Sequence, residues 1–166
     1  MGDRYLRFHE GWDLGGSEQR VNWTPRRDRC RGPRDDGPVA ERNVLGAELE
    51  PCGLDPVTGF FRDGSCRTGP EDLGSHTICA VVTAEFLDHQ RGIGNDLTTP
   101  RPEYRFPGLV PGDRWCVTAL NWARAHGDGV AAPVVLAATH EAVLQMVPMA
   151  MLREHAVDVP DDPSAL

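Results

Sequence analysis

Four of the five cysteines, all except Cys30, and one nearby histidine are the residues whose types could do the most chemistry in this chain. The cysteines are widely spaced, at positions Cys52, Cys66, Cys79 and Cys116, and His76 is the only histidine close to one of them. A turn-rich segment separates Cys52 from Cys66, so the chain could fold back and bring their sulfurs together. Thiolate and imidazole groups are ligands that zinc prefers. The sequence therefore predicts a zinc site with these candidate ligands: Cys52, Cys66, His76 and Cys116.

Two other interpretations of the cysteines remain open. A thiol enzyme would need a cysteine of depressed pKa beside a base. The candidates are Cys52 or Cys66 as nucleophile, His76 or His140 as base, and Asp72 or Asp96 as the group that orients the base. Cysteine is also among the most frequently buried residue types, so the thiols could simply pack in the core. Disulfides are disfavoured in the cytoplasm, which is the location expected for this chain.

A polar segment at residues 94–100 is the second candidate for function. Its sequence, Gly-Asn-Asp-Leu-Thr-Thr-Pro, is dense in hydrogen-bonding groups and more elaborate than a simple connector requires. Together with charged residues elsewhere it could line a ligand site. The residues expected there are Arg62, Asp63, Asp72, His76, Asn95, Asp96, Thr98 and Arg101. The alternative is a loop that is hydrogen-bonded to itself through Asx and threonine turns.

The composition and the failed motifs exclude several classes of enzyme. All 17 basic residues are arginine, which removes the phosphate-binding lysine of P-loop proteins and every lysine Schiff base. Residues 92–94 read Gly-Ile-Gly without the third glycine of a dinucleotide-binding fingerprint. His140-Glu141 is followed by Leu144 where a zinc protease has its second histidine.

The distribution of charge divides the chain near residue 42. Residues 1–42 hold nine arginines and eight acidic residues, and their few hydrophobic residues are scattered. We expect this segment to be a disordered or non-native extension, because it cannot bury enough apolar surface to fold. Residues 43–166 hold eight arginines and 17 acidic residues, a net charge of −9. We expect a single globular domain at 43–157, a frayed tail at 158–166, and no nucleic-acid partner, because phosphate contacts need positive surface.

Apolar patterning bears on the location. No run approaches the roughly 18 apolar residues of a membrane span, and the charged first ten residues lack the apolar core of a signal peptide. The expectation is a cytoplasmic protein without a membrane partner.

The apolar patterns predict short elements joined by long connections. Strands are expected at Thr58–Arg62 (entering a turn at Asp63-Gly64), His76–Val82, Arg114–Thr118 and Pro133–Leu136. Helices are expected at Ala84–Gln90 behind the N-cap Thr83, from about Ala119 to His126, from Thr139 onward, and at Met149–His155. Short strands with several helices indicate a small two-layer α+β domain.

Several runs are together typical of one bacterial family. They are Thr58-Gly59-Phe60-Phe61-Arg62-Asp63-Gly64, Gly69-Pro70-Glu71-Asp72, Gly94-Asn95-Asp96-Leu97, Phe106-Pro107-Gly108-Leu109, Pro111-Gly112-Asp113-Arg114-Trp115-Cys116 and Ala138-Thr139-His140-Glu141-Ala142. The chain resembles domain-of-unknown-function family 2237 from about residue 43 to residue 156. The resemblance implies a small α+β fold and implies no activity, so no catalytic residue is carried over.

Three functions are consistent with these observations. The first is a small domain that binds a ligand or a metal through its Cys/His and Asn-Asp-Leu-Thr loops. The second is an enzyme that uses a thiol or a His/Asp pair on a small substrate. The third is a protein-interaction module. A small molecule or a protein is the expected partner, and zinc is the one cofactor that the candidate ligands suggest.

Overall fold

Residues 41–158 are the part of the chain that the computed structural model describes. The predicted extension, apart from Glu41 and Arg42, lies outside these residues, and so does the predicted tail after Asp158. The division into extension, domain and tail therefore stays a prediction.

A small antiparallel sheet forms the centre of the fold. Its strands are β1 (Ile78–Val81) and β2 (Arg114–Val117), both within ranges that the sequence predicts. Cys79 lies opposite Cys116 in the register of the two strands. On the other side of β1, Val134 bridges Ala80 and extends the hydrogen-bonded layer by one residue.

Three α-helices accompany the sheet: α1 (Ala84–Gly92), α2 (Ala119–Gly127) and α3 (Met149–Glu154). Thr83 caps α1, as predicted, by accepting a hydrogen bond from the amide of Phe86 at 3.1 Å. Thr118 caps α2 in the same way, and α3 begins directly after Pro148. Helices and a small sheet make this an α+β domain. Within residues 41–158, no helix has the length and apolar character needed to cross a bilayer.

The two faces of the sheet pack against different cores, because successive side chains on a strand point to opposite sides. One face joins the helices in the main core, whose buried members include Ile78, Trp115, Phe86, Trp122 and Leu152. The other face carries the sulfurs of a second, smaller core, formed by Cys52, Cys66, Cys79, Cys116, Val135 and Ala138. This second core lies against the segment from Cys52 to Cys66.

The predicted strand at Thr58–Arg62 is wrong. Gly59 and Arg62 have left-handed backbones, with φ of 92° and 56°, and the amide of Arg62 donates to the carbonyl of Gly59 at 3.1 Å. Left-handed residues curl the chain and prevent an extended strand. The segment is a turn, and the left-handed residues on either side of Asp63 are Arg62 and Gly64, whereas Asp63 itself is not left-handed.

Two further elements are shorter than the sequence predicts. The expected strand at Pro133–Leu136 is reduced to the bridges of Val134, because a 3₁₀ turn already begins at Leu136. The expected helix from Thr139 is a 3₁₀ helix at Glu141–Gln145, and its cap is His140. Thr139 does not cap it, since its hydroxyl accepts from the amide of Cys79 and donates to the carbonyl of Val135.

Candidate functional site

The four cysteines of the described chain converge behind the sheet and form two disulfides. Cys52 is bonded to Cys79, and Cys66 to Cys116. All four are buried. The sulfurs of Cys52, Cys66 and Cys116 lie within 4.8 Å of one another, so the two bonds are neighbours. We call these four residues the cysteine cluster.

The cysteine cluster corrects two expectations. The prediction that disulfides are disfavoured is wrong, because the sheet register places Cys79 beside Cys116 and the Cys52–Cys66 segment covers both. Neither Cys52 nor Cys66 has a thiolate available as a nucleophile in this state. The disulfides instead fix that segment to the face of the sheet that carries the second core, with one bond to each strand.

His76 is engaged by Asp72 and is not a member of the sulfur group found among the described residues. Its Nδ1 lies 2.7 Å from Oδ1 of Asp72, and its amide donates to Oδ2 at 2.7 Å. The Thr68 hydroxyl donates to the same oxygen at 3.0 Å. Burial raises the pKa of Asp72, but the hydrogen bonds and charge of His76 outweigh it, so the pKa lies below its ordinary value. The pair holds residues 68–76 together.

A cavity of about 660 Å³ lies between two loops. One wall is the segment Leu54–Val57 with Arg62, and the other runs from Pro100 to Pro107. A smaller cavity of about 170 Å³ shares Arg62 and Tyr104 with the first. We call the two together the loop cavity.

Arg62 is held at the loop cavity by two contacts. Its guanidinium carbon lies 4.9 Å from the centroid of the Trp115 ring, a cation–π distance. Its Nη1 donates to the carbonyl of Val57 at 3.3 Å. From the opposite loop, Arg105 lines the larger cavity and Arg101 lines the smaller one. Among residues 41–158, none of these three arginines forms an ion pair with a carboxylate.

Asp96 lines the smaller cavity, but its carboxylate is directed into its own loop. It accepts hydrogen bonds from the amides and hydroxyls of Thr98 and Thr99, at 2.6–3.1 Å. These bonds hold the pKa of Asp96 far below its ordinary value. Because four donors already bind this carboxylate, little of it is available to a ligand. The segment is thus hydrogen-bonded to itself, which is the alternative that the sequence analysis left open.

The sequence profile described as "Uncharacterized protein conserved in bacteria (DUF2237)" matches residues 42–156. The chain belongs to the DUF2237 family. This confirms the resemblance, and the matched range agrees with the predicted one within a residue. A comparison with curated proteins gives no significant match.

Only three of the eight predicted ligand residues of this DUF2237 chain line the loop cavity: Arg62, Asp96 and Arg101. The other five take part in local contacts. Asp63 pairs with Arg67, Asp72 with His76, Asn95 donates to Gln90, and Thr98 bonds Asp96 and Arg91.

Sequence reasoning missed the aromatic and proline part of the DUF2237 cavity. Tyr104, Arg105 and Phe106 line it together with Pro100 and Pro102. The signal was the density of prolines around two aromatic residues at 100–107, because proline restricts the backbone of such a loop. Cys79 was also missed as a member of the cysteine cluster, where it is bonded to Cys52; on a strand its side chain points to the face opposite that of His76, which was the expected ligand.

Proposed function

We propose that this domain binds a small organic anion in the loop cavity, with a carboxylate or phosphate group attached to an apolar body. The observation that carries the proposal is that three arginines from two separate loops line two adjoining cavities: Arg62 lines both, Arg105 the larger and Arg101 the smaller. The volume of about 660 Å³ falls within the range typical of small-molecule sites.

The placement of charge supports an anionic ligand. Residues 43–166 carry a net charge of −9 and only eight arginines, yet three of these arginines line the two adjoining cavities of the loop cavity. Asp55 lines it as well, and the carboxylate of Asp96 is occupied by its own loop. Guanidinium groups bind carboxylates and phosphates through paired, charge-assisted hydrogen bonds. The cavity is thus a site of positive charge in an acidic domain.

The apolar lining supports a ligand with a hydrophobic part. Both aromatic side chains of the 100–107 loop line the cavity: Phe106 is buried at 6% exposure, and Tyr104 is 67% exposed. Prolines on both walls leave few backbone donors. An aromatic or aliphatic body would lie on this surface while its anionic group meets the arginines.

Calorimetric titration with matched probes tests this proposal. Phenyl phosphate and 1-naphthoate are the anionic probes, and benzyl alcohol and 1-naphthamide are their neutral counterparts. We expect the anions to bind and the neutral compounds to bind at least about tenfold more weakly. The R101Q/R105Q double variant should lose about tenfold in affinity, while R124Q, an exposed arginine on α2, should bind as the wild type does. Equal binding of neutral and anionic probes, or an unaffected double variant, would refute the proposal.

A second candidate function is zinc binding by the reduced cysteine cluster, favoured by the three sulfurs within 4.8 Å of one another. We propose that a dithiol reductant supplies two electrons and two protons to each disulfide, and that zinc then displaces protons from the resulting thiols. Zinc–sulfur bonds of about 2.3 Å require sulfurs about 4 Å apart, close to the spacing found. Cys79 is the natural fourth ligand, because it lies opposite Cys116.

Metal analysis of protein reduced in the presence of zinc tests this second function. In an H126Q background, which removes a member of the other metal-ligating group, about one equivalent of zinc should remain after dialysis, and adding C79S should lower the affinity strongly. H76Q is the matched variant, because His76 was the ligand expected from sequence and is bound to Asp72 in the structure. Less than about a tenth of an equivalent in the wild type would contradict zinc binding.

A further inference from the structure

A cluster of two imidazoles and one carboxylate lies where the C-terminal ends of α2 and α3 meet. His126 is in the last turn of α2, Glu154 ends α3, and His155 is the C-cap of α3. One ligand atom from each lies within 4.8 Å of the other two. We propose that His126, Glu154 and His155 bind a divalent transition-metal ion such as Zn²⁺, Ni²⁺ or Cu²⁺.

The two imidazoles are positioned by a rigid aromatic ring. The Trp122 ring centroid lies 5.6 Å from that of His126 and 5.5 Å from that of His155, and the two imidazole centroids are 5.3 Å apart. Trp122 is fully buried, and its Nε1 donates to the carbonyl of Ala132 at 3.0 Å. Because the tryptophan cannot move without disrupting the core, the two rings stay close in the absence of metal.

The carboxylate completes a set of three ligands. Oε2 of Glu154 lies 3.2 Å from Nε2 of His126, and the Glu154 side chain is 64% exposed. Metal bonds of about 2.0–2.2 Å require ligand atoms roughly 3.4 Å apart. The ligand atoms that lie farther apart, up to 4.8 Å, can approach one another if the exposed Glu154 side chain moves and the imidazole rings rotate slightly.

A second histidine–carboxylate pair shows why this cluster differs from an ordinary ion pair. Nε2 of His89 lies 2.8 Å from Oδ2 of Asp128, but within residues 41–158 that pair has no third metal-ligating neighbour.

The two nitrogens and one oxygen of the proposed site suit Zn²⁺, Ni²⁺ or Cu²⁺ better than Mg²⁺ or Ca²⁺, which prefer all-oxygen sites.

A bound ion would join α3 to α2 and keep an open coordination position for water or a ligand. The site shares no residue with the loop cavity or the cysteine cluster. It therefore requires neither disulfide reduction nor the anionic ligand, and its test stands apart from theirs.

Metal titration of the oxidised full-length chain tests this site. The background is C30S, so that the fifth cysteine offers no thiolate, and the probes are Zn²⁺ by calorimetry and Ni²⁺ or Cu²⁺ by tryptophan fluorescence. We expect one ion to bind with Kd below about 100 µM, and Ni²⁺ or Cu²⁺ to quench Trp122, which touches both imidazoles.

Single substitutions identify the ligands. H126Q, H155Q and E154Q should each weaken binding about tenfold or more, whereas H89Q should bind as the wild type does. Melting curves recorded in the presence of a chelator check that the variants are folded. Because E154Q changes only an exposed side chain, it still tests the site if a histidine variant unfolds. The inference is overturned if no ion binds below about 100 µM, or if H89Q loses as much affinity as the three ligand variants.

Discussion

Cys79 and Cys116 lie directly opposite each other on β1 and β2, and each is bonded to a different end of the Cys52–Cys66 segment. The same segment supplies Leu54–Val57 and Arg62 to the loop cavity. The two disulfides therefore hold one wall of the proposed binding site against the sheet.

Removing the disulfides should destabilise the domain strongly. The bonds close loops of 27 and 50 residues, and restricting such loops in the unfolded chain contributes about 3–4 kcal/mol each. Urea unfolding with and without reductant measures the difference. C30S, which removes a cysteine outside the described residues, should unfold at the wild-type midpoint, and a reductant-independent midpoint in the wild type would contradict the account.

Asp72 should make stability depend on pH on the acid side. The pKa of Asp72 in the folded protein is below its ordinary value. The ionised Asp72 therefore stabilises the fold fully above the unfolded-state pKa of about 3.9. This stabilisation is lost as the pH falls through the lower folded-state pKa. D72N should lose about 1–3 kcal/mol at neutral pH, and the gap to the wild type should shrink below about pH 4. Urea unfolding at both pH values measures it, with the exposed Asp88→Asn as control. A gap that is unchanged at low pH would count against this role.

Gly108 should tolerate a side chain less well than Gly94. Both have left-handed backbones, with φ of 82° and 85°, but a Cβ at Gly108 would lie 2.3 Å from the Thr98 carbonyl oxygen, whereas at Gly94 it would meet nothing within 4 Å. Alanine at either position costs about 1–2 kcal/mol for the backbone. Unfolding experiments should show G108A to be less stable than G94A by at least about 1 kcal/mol. Equal losses of stability would mean that the backbone at Thr98 moves to accommodate the added Cβ at little cost in free energy.

The hydroxyl of Thr139 should matter more than its methyl group. It accepts from the amide of Cys79 at 3.1 Å and donates to the carbonyl of Val135 at 2.8 Å, and the residue is fully buried. T139V keeps the shape but leaves the buried amide of Cys79 without its acceptor, which costs about 1–3 kcal/mol, whereas the carbonyl of Val135 still accepts from the amide of Ala138. T139S keeps the hydroxyl and should be the more stable variant in chemical denaturation. The reverse order would show that packing dominates at this position.

Local sequence was sufficient to predict the elements that local chemistry determines. The apolar run around Ile78, the N-cap Thr83 and the start after Pro148 each act within a few residues, and all three are found. The turn at 59–64 was missed because the adjacent aromatic residues Phe60 and Phe61 favour a strand, whereas a left-handed backbone at a non-glycine residue such as Arg62 has no such local signal.

The candidate site was predictable only in part. Arg62, Asp96 and Arg101 were expected to share a pocket, and they line the loop cavity. The pairing of cysteines depends on the register of β1 and β2 and on a 50-residue separation between Cys66 and Cys116. Short-range spacing carries no information about such contacts, so the sequence left zinc, free thiols and packing open.

The central claim is that an organic anion binds between the two loops, and the side-chain NMR signals of the arginines report on it most directly. Titration of ¹⁵N-labelled, oxidised protein with phenyl phosphate should shift the Nε signals of Arg62, Arg101 and Arg105, and leave that of Arg124 in place. Benzyl alcohol at the same concentrations should leave all four unchanged. The claim is contradicted if phenyl phosphate shifts none of the three cavity arginines, or if it shifts Arg124 equally.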